Sequence, residues 1–221
     1  MGSPGTASSS LEQGDISFLY RPRVDRERPT RLDDVQALLM VLRPWDGRDR
    51  LRLIVIGRKR LPGVTDGQRF WGYVSDSGDV DDVRDAVERR TYETKTRGER
   101  VQPEARPAGE GMYAIVRHRD HTHLAYRLDS PDGPGRLRAE LNIAPEASYI
   151  ISVRNPEAPR PPGVPRRGTG AAFPAALQER FGDRRFVAVD PPSFLDYEGA
   201  EVVLIGASGD AATGLDDDLG P

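Results

Sequence analysis

The chain has 221 residues, which is enough for one domain with a substantial core, and it has no cysteine. The lack of cysteine excludes disulfide bonds, thiolate metal sites and a cysteine nucleophile. The chain carries 32 basic and 35 acidic residues, a net charge of −3, which argues against a nucleic-acid-binding protein because such proteins need a basic excess. The longest apolar runs are too short to cross a bilayer and no signal peptide is evident, so we expect a cytoplasmic protein that does not contact a membrane.

The composition divides the chain into two tails and a central unit. Residues 1–14 are rich in Gly, Ser, Thr and Pro, residues 208–221 are polar and acidic, and both predict disordered tails. Residues 15–207 predict a single globular domain. A loop rich in Pro, Gly and Arg is expected within it at residues 155–172, because its prolines resist both helix and inner strand.

Strand signals dominate the domain. The hydrophobic pattern predicts strands at residues 16–20, 36–43, 51–59, 70–74, 111–118, 121–128, 148–154, 185–189 and 201–207. An Asp-Gly pair in the turn after Pro44 joins the second and third of these strands into a hairpin. One alternative stays open: Asp33 and Asp34 could instead cap a helix that runs to Leu42.

Helices are fewer and shorter in the prediction. Val80, Val83 and Val87 lie on one face after a capping Asp79, which predicts a helix to about Lys95. A second helix is predicted at residues 174–181 and a single turn at residues 192–197. Sequential strands joined by tight turns, with two or three short helices, predict an α+β fold on a mainly antiparallel sheet built from hairpins.

All three histidines of the chain lie within six residues, at His118, His121 and His123. If Arg119 and Asp120 form the tip of the hairpin, His118 pairs with His121 and Val116 pairs with His123. Side chains alternate between the two faces of a strand, so all three imidazoles share the face opposite to the apolar one. Opposed Cβ atoms in such a pair lie about 5 Å apart, close enough for three imidazoles to approach one ion.

Three imidazoles and one open position are the ligand set of many zinc sites that activate water. The sequence therefore indicates a metal site at His118, His121 and His123, for zinc or another divalent transition metal, with hydrolysis as the reaction such a site would support. No carboxylate is clearly placed as a fourth ligand, since Asp120 lies at the tip and Glu110 at the far end of the strand. The alternative is a polar hairpin tip that faces solvent.

A second candidate site follows the first predicted helix. Lys95, Arg97 and Arg100 lie among hydroxyl side chains and a glycine, a combination that suits an anion or a nucleotide. The alternative is the ordinary chemistry of a helix C-terminus, where cations offset the helix dipole and a glycine ends the helix.

The sequence contains neither a P-loop nor a Gly-x-Ser-x-Gly segment, and it does not assign a reaction. We therefore expect a ligand- or partner-binding accessory protein whose partner is an unidentified protein or small molecule. The two alternatives are a metal-binding protein or hydrolase that uses the histidine hairpin, and an anion binder that uses Lys95, Arg97 and Arg100.

Overall fold

The computed structural model of the protein describes residues 9–65, 67–96, 98–129, 135–160 and 170–207. The predicted C-terminal tail at residues 208–221 lies outside these ranges, as does the middle of the predicted loop at residues 155–172. In the described parts of the chain, no helix has the length and apolar character needed to cross a membrane.

Eight antiparallel strands close into a barrel. They are β1 (Ser9–Pro22), β2 (Val35–Pro44), β3 (Leu51–Ile56), β4 (Arg69–Gly78), β7 (Arg106–His118), β8 (His121–Leu128), β9 (Glu146–Arg154) and β11 (Glu201–Gly206). Their order around the barrel is β9-β11-β4-β3-β2-β1-β7-β8, and the pairing of β8 with β9 closes the ring.

Three strands lie outside the ring. β5 (Arg90–Thr94) and β6 (Gly98–Gln102) form a separate two-stranded sheet, and β10 (Phe186–Ala188) extends the edge of β9 beyond its pairing with β8. The α-helices are α1 (Val80–Val87), α2 (Gly135–Glu140) and α3 (Ala175–Gln178). Short 3-10 helices lie at Leu32–Asp34, Glu179–Phe181 and Pro192–Asp196.

The predicted α+β fold class is wrong, because 49% of the chain is strand, 15% is helix and the sheet is a closed barrel. Hairpin signals report only strands that are neighbours in sequence. Closure depends on pairs that are distant in sequence: β1 with β7, β4 with β11, and β9 with β11.

Two local predictions are also corrected. The helix that was expected to reach Lys95 ends at Val87, and residues 90–94 form β5 instead. Thr91, Tyr92 and Thr94 prefer extended backbone, and pairing with β6 satisfies their backbone groups. The helix alternative toward Leu42 is reduced to the 3-10 helix Leu32–Asp34.

The N-terminal prediction also differs from the structure. Residues 9–14, expected in a disordered tail, belong to β1 and pair with β7. The alternation of apolar and polar residues that marks the rest of this strand begins only at Ile16. The sequence pattern alone therefore does not reveal the first residues of the strand.

The barrel interior is filled by side chains, as is usual for eight strands. Phe18, Tyr113, Tyr126 and Tyr149 are among the largest buried residues. Gly14 makes this packing fit, because a Cβ there would lie 2.7 Å from the Tyr113 ring and 2.1 Å from a backbone oxygen of β2. The amphipathic α1 packs outside the barrel, where Val83 joins Leu39, Val41 and Leu53 in a second cluster.

The two ends of the barrel differ in chemistry. At the end that we call the sealed end, α2 and the segments before β2 and after β3 cover the interior with Val35, Leu61, Leu137, Leu141 and Ile143. The opposite end, which we call the cleft end, carries the β7–β8 tip, the β2–β3 turn and residues 190–201. Three surface clefts open at the cleft end.

Candidate functional site

The predicted register of the histidine hairpin is confirmed. His118 pairs with His121, Val116 pairs with His123, and Tyr113 pairs with Tyr126. The apolar face of the hairpin lies in the barrel core, so the three imidazoles share the outer face at the cleft end. This placement follows from the two-residue tip, because a shift of one residue would exchange the two faces of one strand.

The three imidazole rings form one cluster. Their centroids lie 4.9 Å apart for His121 and His123, 5.5 Å for His118 and His121, and 6.0 Å for His118 and His123. Nδ1 of His121 shares a hydrogen bond of 3.0 Å with the Asp120 carboxylate. Nδ1 of His123 shares one of 3.0 Å with the Ser148 hydroxyl on β9.

His123 is the buried member of this cluster, with 6% of its surface exposed. Its Nε2 atom has no hydrogen-bond partner among the described residues. Burial, followed by the charges of His121 and His118, lowers the pKa of His123 from 6.5 to about 4. At neutral pH His123 is therefore an uncharged imidazole with one unsatisfied ring nitrogen.

The cluster does not have the geometry of a metal centre. Across the described residues, no group of three or more His, Cys, Asp or Glu side chains could hold a metal ion. The three rings lie side by side on the outer face of β7 and β8. The metal site at His118, His121 and His123 therefore remains a prediction, with the ligands in proximity but not converging.

A basic pocket of about 230 Å³ lies beside the histidine cluster. We call it the hairpin-tip pocket. Three parts of the chain meet there: the β7–β8 tip, the turn that follows α3, and the end of β10. Its charged side chains are Arg117, Arg119, Asp120, Arg180, Arg184 and Asp190, and His121 also lines it. Four arginines against two aspartates give the pocket a positive excess in a protein whose net charge is negative.

The four arginines differ in how they are held. Arg117 forms an ion pair with Asp190, so its charge is largely compensated. Arg184 donates to the carbonyl oxygens of Arg180 and Phe181, at 2.6 and 3.3 Å, and closes the turn after α3. Arg119 and Arg180 make no side-chain hydrogen bond or ion pair within the described part of the chain. Two guanidinium groups are thus available to a ligand in this pocket.

The anion site predicted near β5 and β6 has a different environment. Lys95 lies in the turn between these strands and Arg100 lies on β6, and Arg97 is outside the described residues. The Arg100 guanidinium contacts the Asp25 carboxylate at 2.5 Å. The backbone N–H of Val101, followed by the charge of Arg100, lowers the pKa of Asp25, so Arg100 already has an anionic partner.

Sequence reasoning missed the hairpin-tip pocket. Arg117 and Arg119 lie beside the histidines in the sequence, but Arg180 and Arg184 lie about sixty residues away and reach the tip only because β10 joins the edge of β9. The sequence signal for this pocket was the pair of arginines, Arg117 and Arg119, beside the three histidines. No local pattern could supply the second half of the pocket.

Comparison with known proteins identifies no relative: no family model matches the chain, and no curated protein or solved structure matches it.

Proposed function

We propose that this protein binds a small anionic ligand in the hairpin-tip pocket. The observation that carries the proposal is the pair of guanidinium groups of Arg119 and Arg180, which face one pocket without a described partner. Guanidinium groups are planar donors whose geometry matches the oxygen pairs of phosphate and carboxylate. The volume of about 230 Å³ suits a small ligand or one charged group of a larger one.

The histidine beside the pocket also supports the binding of an anion there. His121 also lines the pocket, where its ring adds a polar group beside the two guanidinium groups. Asp120 and Asp190 limit the positive field, so the pocket selects a compact anion rather than an extended polyanion such as nucleic acid. This agrees with the overall charge of −3.

The test uses inorganic phosphate and a double variant, Arg119→Ala with Arg180→Ala. Both side chains are exposed, so the variant should fold. Phosphate at about 100 times its Kd should stabilise the wild-type protein by about 2.7 kcal/mol, visible as a rise in Tm, and this gain should be lost in the variant. Titration calorimetry measures the same loss directly.

The matched control is Lys95→Ala with Arg100→Ala, which removes two cations from the site predicted from the sequence. We expect phosphate to stabilise this control as it does the wild type. Phosphate also stabilises proteins in general through exclusion from their surface, and that effect acts on every variant alike. Equal Tm shifts in all three proteins would contradict the proposal, and a loss confined to the control would favour the site at Lys95, Arg97 and Arg100.

A second candidate function is transition-metal binding by His118, His121 and His123. The observation in its favour is the buried Nε2 atom of His123, which lacks a partner while Nδ1 is held by Ser148. Ligand imidazoles are commonly held in this way through their other nitrogen, and the rings would have to rotate to face one ion. Elemental analysis of tagless protein, compared with a triple His→Ala variant, tests it: the absence of metal after zinc addition and desalting would reject this function.

A further inference from the structure

A second cleft at the cleft end lies beside the hairpin-tip pocket and differs from it in chemistry. We call it the barrel-mouth cleft, and its volume is about 820 Å³. The start of β1, the β2–β3 turn and the start of the last 3-10 helix form its walls. The side chains that bear on its chemistry are Glu12, Trp45, Asp46, Arg48, Pro191 and Ser193.

The β2–β3 turn exposes the indole of Trp45 at the cleft. The indole is 52% exposed, which is unusual for so large an apolar side chain. The Trp45 backbone N–H donates to the Gln13 carbonyl at 2.9 Å, and the Asp46 carboxylate accepts from the Arg48 backbone N–H at 2.9 Å. The turn is therefore ordered on both sides of the ring.

A chain of alternating charges runs from this turn into the barrel. Asp46 contacts Arg48 at 2.5 Å, and Arg48 lies 3.9 Å from Asp196. Asp196 in turn accepts from Nε of the fully buried Arg52 at 2.7 Å.

The inner end of the chain is Glu12. It accepts two hydrogen bonds from Arg52, at 2.6 and 3.0 Å, and one from the Tyr113 hydroxyl at 2.9 Å. Burial, together with the neighbouring Glu12 charge, raises the pKa of Tyr113 far above its ordinary value, so the hydroxyl stays a donor. The cleft thus has a rigid polar wall whose groups are already arranged.

The pairing of these charges decides what the cleft can bind. Asp46, Asp196 and Glu12 each have an arginine partner. A charged ligand would therefore have to displace an ion pair that is already formed. A neutral ligand with many hydroxyl groups can instead donate to the partly exposed Asp46 carboxylate and accept from Arg48, while Glu12 stays bonded to Arg52 and Tyr113. Such a ligand also presents a C–H face that packs on an exposed indole.

We propose that the barrel-mouth cleft binds a neutral carbohydrate, with one sugar ring packed on Trp45 and its hydroxyl groups bonded to Asp46 and Arg48. The volume lies within the usual range of ligand pockets, about 300–1,000 Å³. The site shares no residue with the hairpin-tip pocket. Its proposal is therefore independent of the proposed anion binding.

The experiment follows intrinsic fluorescence of the full-length protein, whose two tryptophans are Trp45 and Trp71. Maltotriose, cellotriose and tri-N-acetylchitotriose are titrated to millimolar concentrations. We expect a saturable change with at least one of them, because an exposed indole that becomes covered shifts its emission. Trp45→Ala and Asp46→Asn should each weaken binding by about tenfold or more, measured by calorimetry with the same sugar.

The matched control is Trp71→Phe, which removes the indole that packs on Phe186 on the outer surface of the sheet. It should keep the fluorescence change and the affinity. Spermidine and a decaproline peptide serve as probes for a cation and for an apolar peptide. A Trp45-dependent response to either of them but to no sugar, or no Trp45-dependent response to any probe, would overturn the proposal.

Discussion

The two ends of the barrel are closed by different kinds of side chain. At the sealed end, apolar side chains of α2 and its neighbours close the interior, and backbone contacts such as Leu61 N–H to the Leu141 carbonyl, at 3.0 Å, hold the cover in place. At the cleft end, the interior is closed in part by charges, with Arg52 between Glu12 and Asp196. An apolar cover would serve stability alone equally well, so the buried charges at the cleft end suggest a constraint beyond stability.

The difference shows how a filled barrel can still present sites. Its interior holds large aromatic side chains, and the clefts open at the surface where the strands end. The segment at residues 190–193 separates two of them, with Asp190 in the hairpin-tip pocket and Pro191 in the barrel-mouth cleft. Binding groups at this end come from turns, which can vary without disturbing the closed sheet.

The largest effect is expected from Arg52→Leu, which breaks the charged closure. Glu12 and Asp196 would remain buried without their partner, at a cost of about 3–5 kcal/mol in the free energy of unfolding. Urea denaturation measures this loss. Arg48→Leu, at the exposed part of the same chain, is the control and should cost less than about 1 kcal/mol. Similar losses for both variants would mean that burial of the ion pair does not determine the loss in the free energy of unfolding.

Leu141→Ala tests the apolar closure of the sealed end. Leu141 is fully buried, and the truncation should cost about 3 kcal/mol through lost burial and a cavity. The loss should not vary with pH, because no charge is involved. A loss below about 1 kcal/mol would show that the cover at this end can collapse around the gap.

Acid should destabilise the cleft end through His123. Its pKa is about 4 in the folded protein and 6.5 in the absence of the fold, so the unfolded chain takes up a proton first as the pH falls. Stability is then complete above pH 6.5 and decreases down to about pH 4, by at most about 3 kcal/mol.

His123→Phe keeps a ring of similar size and removes the titration. In metal-free protein, the free energies of unfolding of variant and wild type should therefore converge, or change order, between pH 7 and pH 4.5. Parallel pH curves for the two proteins would show that His123 does not titrate as its burial requires.

Sequence patterns predicted the local parts of this fold and not its closure. The hairpin from Tyr113 to Tyr126 was predicted in full because a two-residue tip and an alternating pattern together fix the register. The barrel was missed because the pairing of β1 with β7 joins residues about a hundred positions apart, which no short pattern encodes.

The same contrast holds for the sites. His118, His121 and His123 were expected to meet and do so, since they are close in sequence. Arg180 acquires its neighbours only through the closed barrel, so no local pattern indicated its role. Lys95 and Arg100 were a candidate anion site because of their local composition, yet Arg100 is paired with Asp25, which lies seventy-five residues earlier in the chain.

The smallest effect is expected at the hairpin tip, where binding and stability should oppose each other. Arg119 has a φ of 56°, in the left-handed region that favours glycine, so Arg119→Gly should stabilise the protein by about 0.5–1 kcal/mol. The same substitution removes a guanidinium from the hairpin-tip pocket and should weaken phosphate binding. Arg119→Ala separates the two effects, because alanine keeps the unfavourable φ and loses only the charge. If Arg119→Gly stabilises and Arg119→Ala does not, while both bind phosphate more weakly, an arginine at this strained position is explained by its ligand and not by the fold.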